Sequence, residues 1–354
     1  MISSHKINLP HKILIGSNIL DKIGELCQKL GFPRNGGNNR IFLVTGPKTK
    51  EIAGKAVKDH LEDAKFKVKI YETKEANIGY VNWAVDLIKD YDPSLVIGVG
   101  GGKNIDIAKL SSFECGLPFI SVPTTLAHDG VASPFCSLKG LELDHSFEAQ
   151  TPIAILADTS VMISAPPQLL SAGFGDMISN LTAVKDWRMA HRIKNEYYGH
   201  YAALLSQMAS ELMLKNYDKI NPNSEESVRI VLEAVISSSM AMAVAGSSRP
   251  ASGSEHLFSH ALDKIAPNHA LHGHQCGVGA IMMMYLHDGD WKEIKNALEY
   301  VGAPTTAEGL RIKDETIIKA LTIAHKMRDR FTILQTGLTK DAAENLAKST
   351  GVIQ

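Results

Sequence analysis

Most of the features by which a chain announces its ligand are missing here. Its four cysteines, Cys27, Cys115, Cys136 and Cys276, form no CxxC pair, which excludes a soft all-thiolate metal site and agrees with a reducing cytoplasm. Lysine plus arginine (37) nearly balance aspartate plus glutamate (38), for a formal charge of −1, so there is no basic field to draw in nucleic acid or an anionic membrane. Any anionic substrate must be recognised by local groups. No apolar run reaches the length of a membrane span, and Met1-Ile2-Ser3-Ser4-His5 does not read as a signal peptide. The expectation is a cytoplasmic protein with no membrane insertion. Neither a GxGxxG fingerprint at the first strand nor a GxxxxGK[ST] loop occurs, and there is no internal repeat.

What remains is an ordinary globular composition, 44% apolar and 21% charged over 354 residues, long enough for two domains. Up to about residue 165, short β-branched runs alternate with helical patterns. Strands are expected at Arg40–Thr45, Lys65–Tyr71, Leu95–Val99, Pro118–Val122 and Pro152–Ala157, with helices over Lys50–Ala64 and Tyr80–Asp90. That alternation predicts a Rossmann-like α/β domain with a parallel sheet, residues 1–165. After Pro166-Pro167 the apolar stretches take helical period, over Tyr201–Leu214, Ser227–Ala245, Gln275–Tyr285 and Asp314–Asp329. Residues 166–354 are therefore expected to be all-α, with the run Ile281-Met282-Met283-Met284 inside a buried helix.

The histidines carry the strongest chemical signal. His256 and His260 are four apart and share a helix face. His272 precedes a glycine in the loop Pro267 to Gly273, where the chain can turn back toward that helix. His269 and His274 lie in the same stretch. Two imidazoles, one carboxylate and one exchangeable position suit zinc used as a Lewis acid, but no carboxylate stands nearby. The best candidate is Asp176, in Ala172-Gly173-Phe174-Gly175-Asp176-Met177, where a helix is expected to begin. The bland alternatives are an N-cap aspartate, a helix face with two satisfied histidines and a solvated histidine loop.

Two loops point to a nucleotide. Leu95 to Val99 runs into Gly100-Gly101-Gly102 and then Lys103-Asn104-Ile105-Asp106, giving strand, glycine turn and helix. There, backbone N–H groups and the helix dipole can approach a pyrophosphate; a tight connection with no ligand would read the same. The second loop, Pro123 to Gly130, follows a strand at its carboxyl end, where open α/β sheets bind ligands. Thr124 and Thr125 could bond an adenine or ribose and Asp129 a substrate hydroxyl, or all three could be turn residues. At the end of the strand Arg40–Thr45, Gly46-Pro47-Lys48-Thr49-Lys50 offers no acid to repel a ribose 2′-phosphate and two lysines to receive one.

Five segments in order, Gly-Gly-Gly-Lys-Asn-Ile-Asp-Ile-Ala-Lys, Pro-Thr-Thr-Leu-Ala-His-Asp-Gly-Val-Ala-Ser-Pro, Gly-Phe-Gly-Asp-Met-Ile-Ser-Asn, Ser-Ser-Arg-Pro-Ala-Ser-Gly-Ser-Glu-His and His-Gly-His-Gln-Cys-Gly-Val-Gly, resemble the polyol branch of the iron-containing alcohol dehydrogenase and dehydroquinate synthase superfamily. The resemblance implies an active site in a cleft between the two domains, with one zinc ion per chain on Asp176, His256 and His272. It implies that Asp129, Asp176 and His260 contact substrate, with Asp129 and His260 in catalytic roles. NADPH or NADH would be lined by Gly101, Gly102, Lys103, Asn104, Ile105, Asp106, Thr124, Thr125, Leu126, Ala127 and Ser133. The Arg249 segment points, within that branch, to reduction of dihydroxyacetone phosphate to glycerol 1-phosphate for archaeal ether lipids, in a homo-oligomer. Arg249 is the first candidate for the substrate phosphate, against a surface arginine at a helix–loop junction. Rival readings are a polyol dehydrogenase acting on unphosphorylated substrate, a dehydroquinate synthase-like cyclase, and a catalytically dead nucleotide-binding protein.

Overall fold

The computed structural model describes residues 7–33, 37–127, 129–138, 146–266 and 270–354. His269 lies outside them. Two compact units are present, one of Asn8–Leu126 with Gly130–Ala165, the other of 166–354 with Ile7, Ala127 and Asp129.

The first unit is built on strands β1 (Lys12–Gly16), β2 (Arg40–Thr45), β3 (Lys67–Glu72), β4 (Leu95–Gly100), β5 (Phe119–Pro123), β6 (Phe135–Ser137), β7 (Ser146–Glu148) and β8 (Ala154–Asp158). Six of them form a parallel sheet in the order β1-β8-β5-β4-β2-β3, and β6 and β7 pair separately as an antiparallel ribbon. Burial explains the order: every residue of β4, β5 and β8 is buried, whereas β1 and β3 at the edges keep exposed positions. The helices of this unit are α1 (Ile23–Lys29), α2 (Pro47–Thr49), α3 (Lys55–Asp63), α4 (Ile78–Tyr91), α5 (Gly102–Glu114) and α6 (Thr159–Ile163). Period-two alternation divides β2 between two cores. Ile41 and Leu43 pack with Ile23, Leu26, Val57 and Leu61 on one face, while Phe42 and Val44 pack with Val81, Ala84, Ile88 and Ile105 on the other. Each such side chain contributes about 1.5–3 kcal/mol by leaving water. The expected helix over Lys50–Ala64 has a π-helical start, Lys50–Gly54, before α3.

The second unit is helical: α7 (Pro167–Lys194), α8 (His200–Asn216), α9 (Glu225–Ala245), α10 (Ser254–Ile265), α11 (His272–Leu286), α12 (Trp291–Tyr300), α13 (Asp314–Ile323) and α14 (Lys340–Ser349). α9 is long and apolar enough to cross a membrane, yet two thirds of its most apolar window is buried inside the protein, as a core helix requires. Met282, Met283 and Met284 are buried in α11 as expected. α13 is shorter than predicted, giving way to a 3-10 turn at Ala324–Lys326.

Two sequence expectations fail here for one reason. Asp176 does not begin a helix; it lies in the middle of the 28-residue α7, which starts at Pro167. His272 is not in a loop but is the first residue of α11. The glycines that suggested turns serve close packing instead. A Cβ on Gly273 would lie 1.9 Å from the Ala172 carbonyl oxygen, and one on Gly175 would lie 2.4 Å from the Gly273 oxygen. Only residues without Cβ let α7 and α11 meet backbone to backbone, and that contact sets Asp176 against His272.

Candidate functional site

α10 begins where it does because Asp186, on α7, caps it from outside: its Oδ2 accepts from the Ser254 N–H at 2.7 Å and from the Ser254 hydroxyl at 2.6 Å. This satisfies an orphan N–H that Gly253, the N-cap residue, cannot serve with a side chain. The anchored first turn presents His256 to Asp176. His256 Nε2 is 3.6 Å from Asp176 Oδ1, and His272 Nε2 is 3.8 Å from the same oxygen. The Sγ of Cys276, one turn past His272, is 3.5 Å from His272 Nε2.

These four residues place one ligand atom each within 4.8 Å of all the others. Donors held at about 2.0–2.1 Å by a tetrahedral ion stand about 3.3 Å apart, so a small inward movement would complete a metal site. Asp176 Oδ1 is buried and has no hydrogen-bond partner; an orphaned carboxylate oxygen is costly unless a cation meets it. The Asp176 carboxyl is pushed up to about 8, first by burial and then by the nearby charge of Asp129. A divalent cation would reverse that shift. Burial also pushes the Cys276 thiol up to about 12.

The remaining ring nitrogens are oriented by partners absent from the sequence reading. His256 Nδ1 lies 2.9 Å from Glu255 Oε1, and this wholly buried carboxylate also accepts from Thr182 Oγ1 at 2.6 Å and from the Gly253 N–H. Burial alone would raise Glu255, but bonds from His256, Thr182 and Gly253 hold it below the usual carboxylate range. His256 is raised well above its ordinary value: burial lowers it, and Cys276 and Glu255 outweigh burial. His272 Nδ1 meets Ser259 Oγ at 3.1 Å, whose hydroxyl donates to Gln275 Oε1 at 2.7 Å. With each Nδ1 engaged as a donor, Nε2 is the atom that each ring turns toward Asp176. Each partner is legible only in hindsight, as a polar residue next to or three from a histidine.

His260 lies beside this group without joining it. Its ring is 6.4 Å from that of His256 and 6.2 Å from that of His272. Asp129 opens a short 3-10 turn and donates its N–H to Asp176 Oδ2 at 3.2 Å. Its carbonyl accepts from the Ser239 hydroxyl, which fixes the loop on α9.

Arg249 is buried, not a surface arginine. Its guanidinium is buried against Glu196, with Nε donating to Oε1 at 2.6 Å and Nη2 to Oε2, and its Nη1 donates to the Phe331 carbonyl at 2.8 Å. Glu196 follows the end of α7, and Ser252, three residues past Arg249, lies just before α10, which carries His256.

In the first unit the sheet order reverses direction between β2 and β4, the position at which open α/β sheets bind ligands. Gly100 has φ +146°, and a Cβ there would lie 2.0 Å from Asn104 Nδ2, so only glycine fits. Asn104 bridges to the end of β2 through Thr49 Oγ1 at 2.9 Å. Its Oδ1, and Thr124 Oγ1 at the end of β5, are buried with no protein partner. Gly101 is the N-cap of α5, and a Cβ on it would lie 3.3 Å from Thr125 Oγ1, so Gly102 and the turn after it stand beside the second loop. Asp106 is engaged by protein groups: its Oδ1 pairs with Lys109 at 3.4 Å and its Oδ2 accepts from the Ser137 N–H at 2.9 Å. Lys109, fully buried, also donates to the carbonyls of Gly130 and Phe135, so this pair fastens the segment after Asp129. Ile105, Leu126 and Ser133 are buried, and Lys103 donates to the Lys74 carbonyl at 3.0 Å. Of the two lysines after β2, Lys50 is taken by Glu72 at 2.6 Å, and Lys48 is exposed.

Comparison with known proteins adds a second line. The profile of the iron-containing alcohol dehydrogenase family matches residues 14–166. The glycerol-1-phosphate dehydrogenase [NAD(P)+] of Thermococcus sibiricus is 51% identical over 351 residues, 99% of both chains. The protein of that name from Methanosarcina mazei is 48% identical over 352 residues, covering 99% of this chain and 98% of its own. Among solved structures, glycerol dehydrogenase from Schizosaccharomyces pombe superimposes with a TM-score of 0.79 at 19% identity, covering 98% of this chain and 90% of that one. That likeness speaks for the fold alone.

Proposed function

Because this chain belongs to the glycerol-1-phosphate dehydrogenases of the iron-containing alcohol dehydrogenase family, we propose that it works through one zinc ion on Asp176, His256 and His272. The enzyme is an NAD(P)-dependent dehydrogenase that interconverts dihydroxyacetone phosphate and sn-glycerol 1-phosphate, the glycerophosphate unit of archaeal lipids. The orphaned Asp176 Oδ1, faced by two Nε2 atoms, is the observation that carries the metal assignment.

When bound there, the ion would polarise the substrate carbonyl as a Lewis acid while the nicotinamide supplies hydride. The chain's own contribution is orientation and proton handling. Glu255 and Ser259 hold the two imidazoles in the orientation that turns each Nε2 toward Asp176. Asp129, tied to Asp176 through its N–H, is placed to meet a substrate hydroxyl, and His260 to pass the proton that the new alcohol needs. Gly101 to Ile105, with Thr124 to Ala127 and Ser133, would line the cofactor, the N–H groups at the start of α5 facing its pyrophosphate. With no acid after β2 and Lys48 exposed there, NADPH should serve at least as well as NADH. On this reading residues 1–165 are the dinucleotide-binding domain and 166–354 the metal and substrate domain.

We also place the protein in the cytoplasm, as a homo-oligomer. Tyr201, Leu204, Met208 and Leu212 are 65, 58, 62 and 41% exposed along one face of α8, an apolar stripe that a second copy would cover. A monomer mass by light scattering would remove that proposal. The activity is tested with dihydroxyacetone phosphate and dihydroxyacetone in parallel, each with NADPH and NADH. The phosphorylated substrate should be reduced at least a hundredfold more efficiently in kcat/KM, since a remote phosphate can orient the carbonyl. Preference for the free polyol would return the protein to the glycerol dehydrogenases.

A further inference from the structure

We propose that the ion pair of Lys50 with Glu72, just past the end of β2, sets the choice between NADPH and NADH. Lys50 is the partner of the ribose 2′-phosphate, and Glu72 is the acid that competes for it. The inference rests on the cofactor reading of the glycine loop and adds the residues that tell the two nucleotides apart.

In an open α/β sheet, an acid at the end of the strand beside the glycine loop holds the ribose 2′-OH and repels a 2′-phosphate. β2 supplies none. Gly46 follows it as the N-cap of α2, and the first acid of that segment, Glu51, is drawn to Lys55 at 2.6 Å. The carboxylate at this edge comes from the neighbouring strand instead. Register sets Glu72, the last residue of β3, opposite Thr45, the last residue of β2, and Glu72 Oε1 holds Lys50 Nζ at 2.6 Å.

The chain next to Lys50 is tied to the glycine loop. Thr49 Oγ1 accepts from the Gly46 N–H and from Asn104 Nδ2, each at 2.9 Å, and Asn104 stands in the first turn of α5. Lys50 itself opens the π-helical turn Lys50–Gly54, a wide turn of the kind that recurs at functional sites.

The pair is open to exchange. Its side chains are 30% and 41% exposed, and an ion pair that accessible to water adds little to stability. The bond to Glu72 raises Lys50 above the ordinary lysine value, so the ammonium stays charged at neutral pH. With NADH, Lys50 remains on Glu72 and cancels its charge. A 2′-phosphate, with about two negative charges, is a stronger partner for that ammonium than one carboxylate, but taking it leaves Glu72 uncovered nearby. The two effects oppose each other, and their balance lets one site accept both nucleotides.

Affinities for NADPH and NADH, read by nicotinamide fluorescence on the zinc-loaded full chain, give the selectivity Kd(NADH)/Kd(NADPH). Lys50→Met should lower this ratio by about fivefold or more, because the phosphate loses its partner and meets an uncovered acid. Lys50→Arg should restore most of it, since the charge is kept. Glu72→Gln should raise the ratio by about threefold or more by releasing Lys50. Lys48→Met should change it less than Lys50→Met, because Lys48 is exposed and lies outside the pair. Each variant's Tm checks that it folds. A fall or rise short of these values, or a larger fall in Lys48→Met than in Lys50→Met, would overturn the proposal. Gly100→Ala, measured alongside, should weaken both nucleotides together. If it does so while Lys50→Met leaves the ratio unmoved, the pair alone is wrongly assigned. If Gly100→Ala leaves both affinities intact, the reading of the glycine loop fails and the proposal falls with it.

Discussion

At the scale of single residues, the metal cluster separates donors from neighbours. His256→Ala and His272→Ala each remove an Nε2 that faces Asp176 and should lose the bound metal. His260→Ala should keep metal and lose turnover, because its ring stands outside the donor set. Cys276→Ser should also keep metal, since Asp176 and the two imidazoles remain as donors. Metal content per chain reads all four, and equal loss in His260→Ala would abolish the division of roles. The sequence alone allowed the histidines to be picked out, because spacing of four on a helix is visible in one dimension. The carboxylate came only through resemblance, and Glu255, Ser259 and Cys276 were not anticipated, because their partnership depends on how α10 and α11 cross. The same residues set a pH dependence. Asp176 in the metal-free protein is raised to about 8, above its unfolded value of about 3.9, so the folded state holds an extra proton between those limits. Stability of the metal-free protein should therefore fall as pH rises through that window, and zinc affinity should rise, since binding expels the proton. Metal-free Asp176→Asn should show a flatter Tm between pH 5.5 and 8. Parallel curves would mean that Asp176 titrates elsewhere.

At the scale of elements, strands were read within about two residues because fully buried parallel strands are continuous apolar runs bounded by turn residues; the expected Arg40–Thr45 coincides with β2. The long α7 was missed where it matters most. Gly173 and Gly175 carry the signature of a turn, yet both lie inside α7, and the close approach of Gly175 to Gly273 shows that one to be a spacer between helices. Edge strand β1 and the β6–β7 ribbon escaped notice as well, being short and only partly buried. The close crossing of α7 and α11 has a direct test. Gly273→Ala would drive a methyl into the Ala172 carbonyl and against the Asp176 side chain, which a Cβ would approach to 3.2 Å. The helices must separate, at a cost on the order of 1–3 kcal/mol, and the gap between Asp176 and His272 must widen. Zinc affinity should drop tenfold or more while helical content by circular dichroism stays near wild type. Unchanged affinity would show that the metal pulls the donors together whatever the backbone spacing.

At the scale of the whole molecule, the two units each carry what they need for their own ligand. The α/β unit has separate cores on both faces of its sheet, and its candidate phosphate donors, from Gly101 to Asn104, sit at the N-cap and first turn of α5. Every metal donor, with Asp129, belongs to the helical unit. Ligand binding stabilises the part that holds it, so the two affinities should be separable. Stripping zinc with a chelator should abolish reduction of dihydroxyacetone phosphate and lower Tm. NADPH affinity, followed by nicotinamide fluorescence, should stay within about threefold of the zinc-loaded value, a change worth less than 1 kcal/mol. The reciprocal experiment makes the same demand: zinc content should survive a substitution in the cofactor loop such as Gly100→Ala, whose Cβ would strike Asn104. A tenfold loss of NADPH affinity on zinc removal would mean that the metal orders the loop leading to Asp129, and through it the cofactor site. The division of labour would then be a single cooperative one, with Asp129, bonded on one side to Asp176 and on the other to Ser239, as the residue through which it acts.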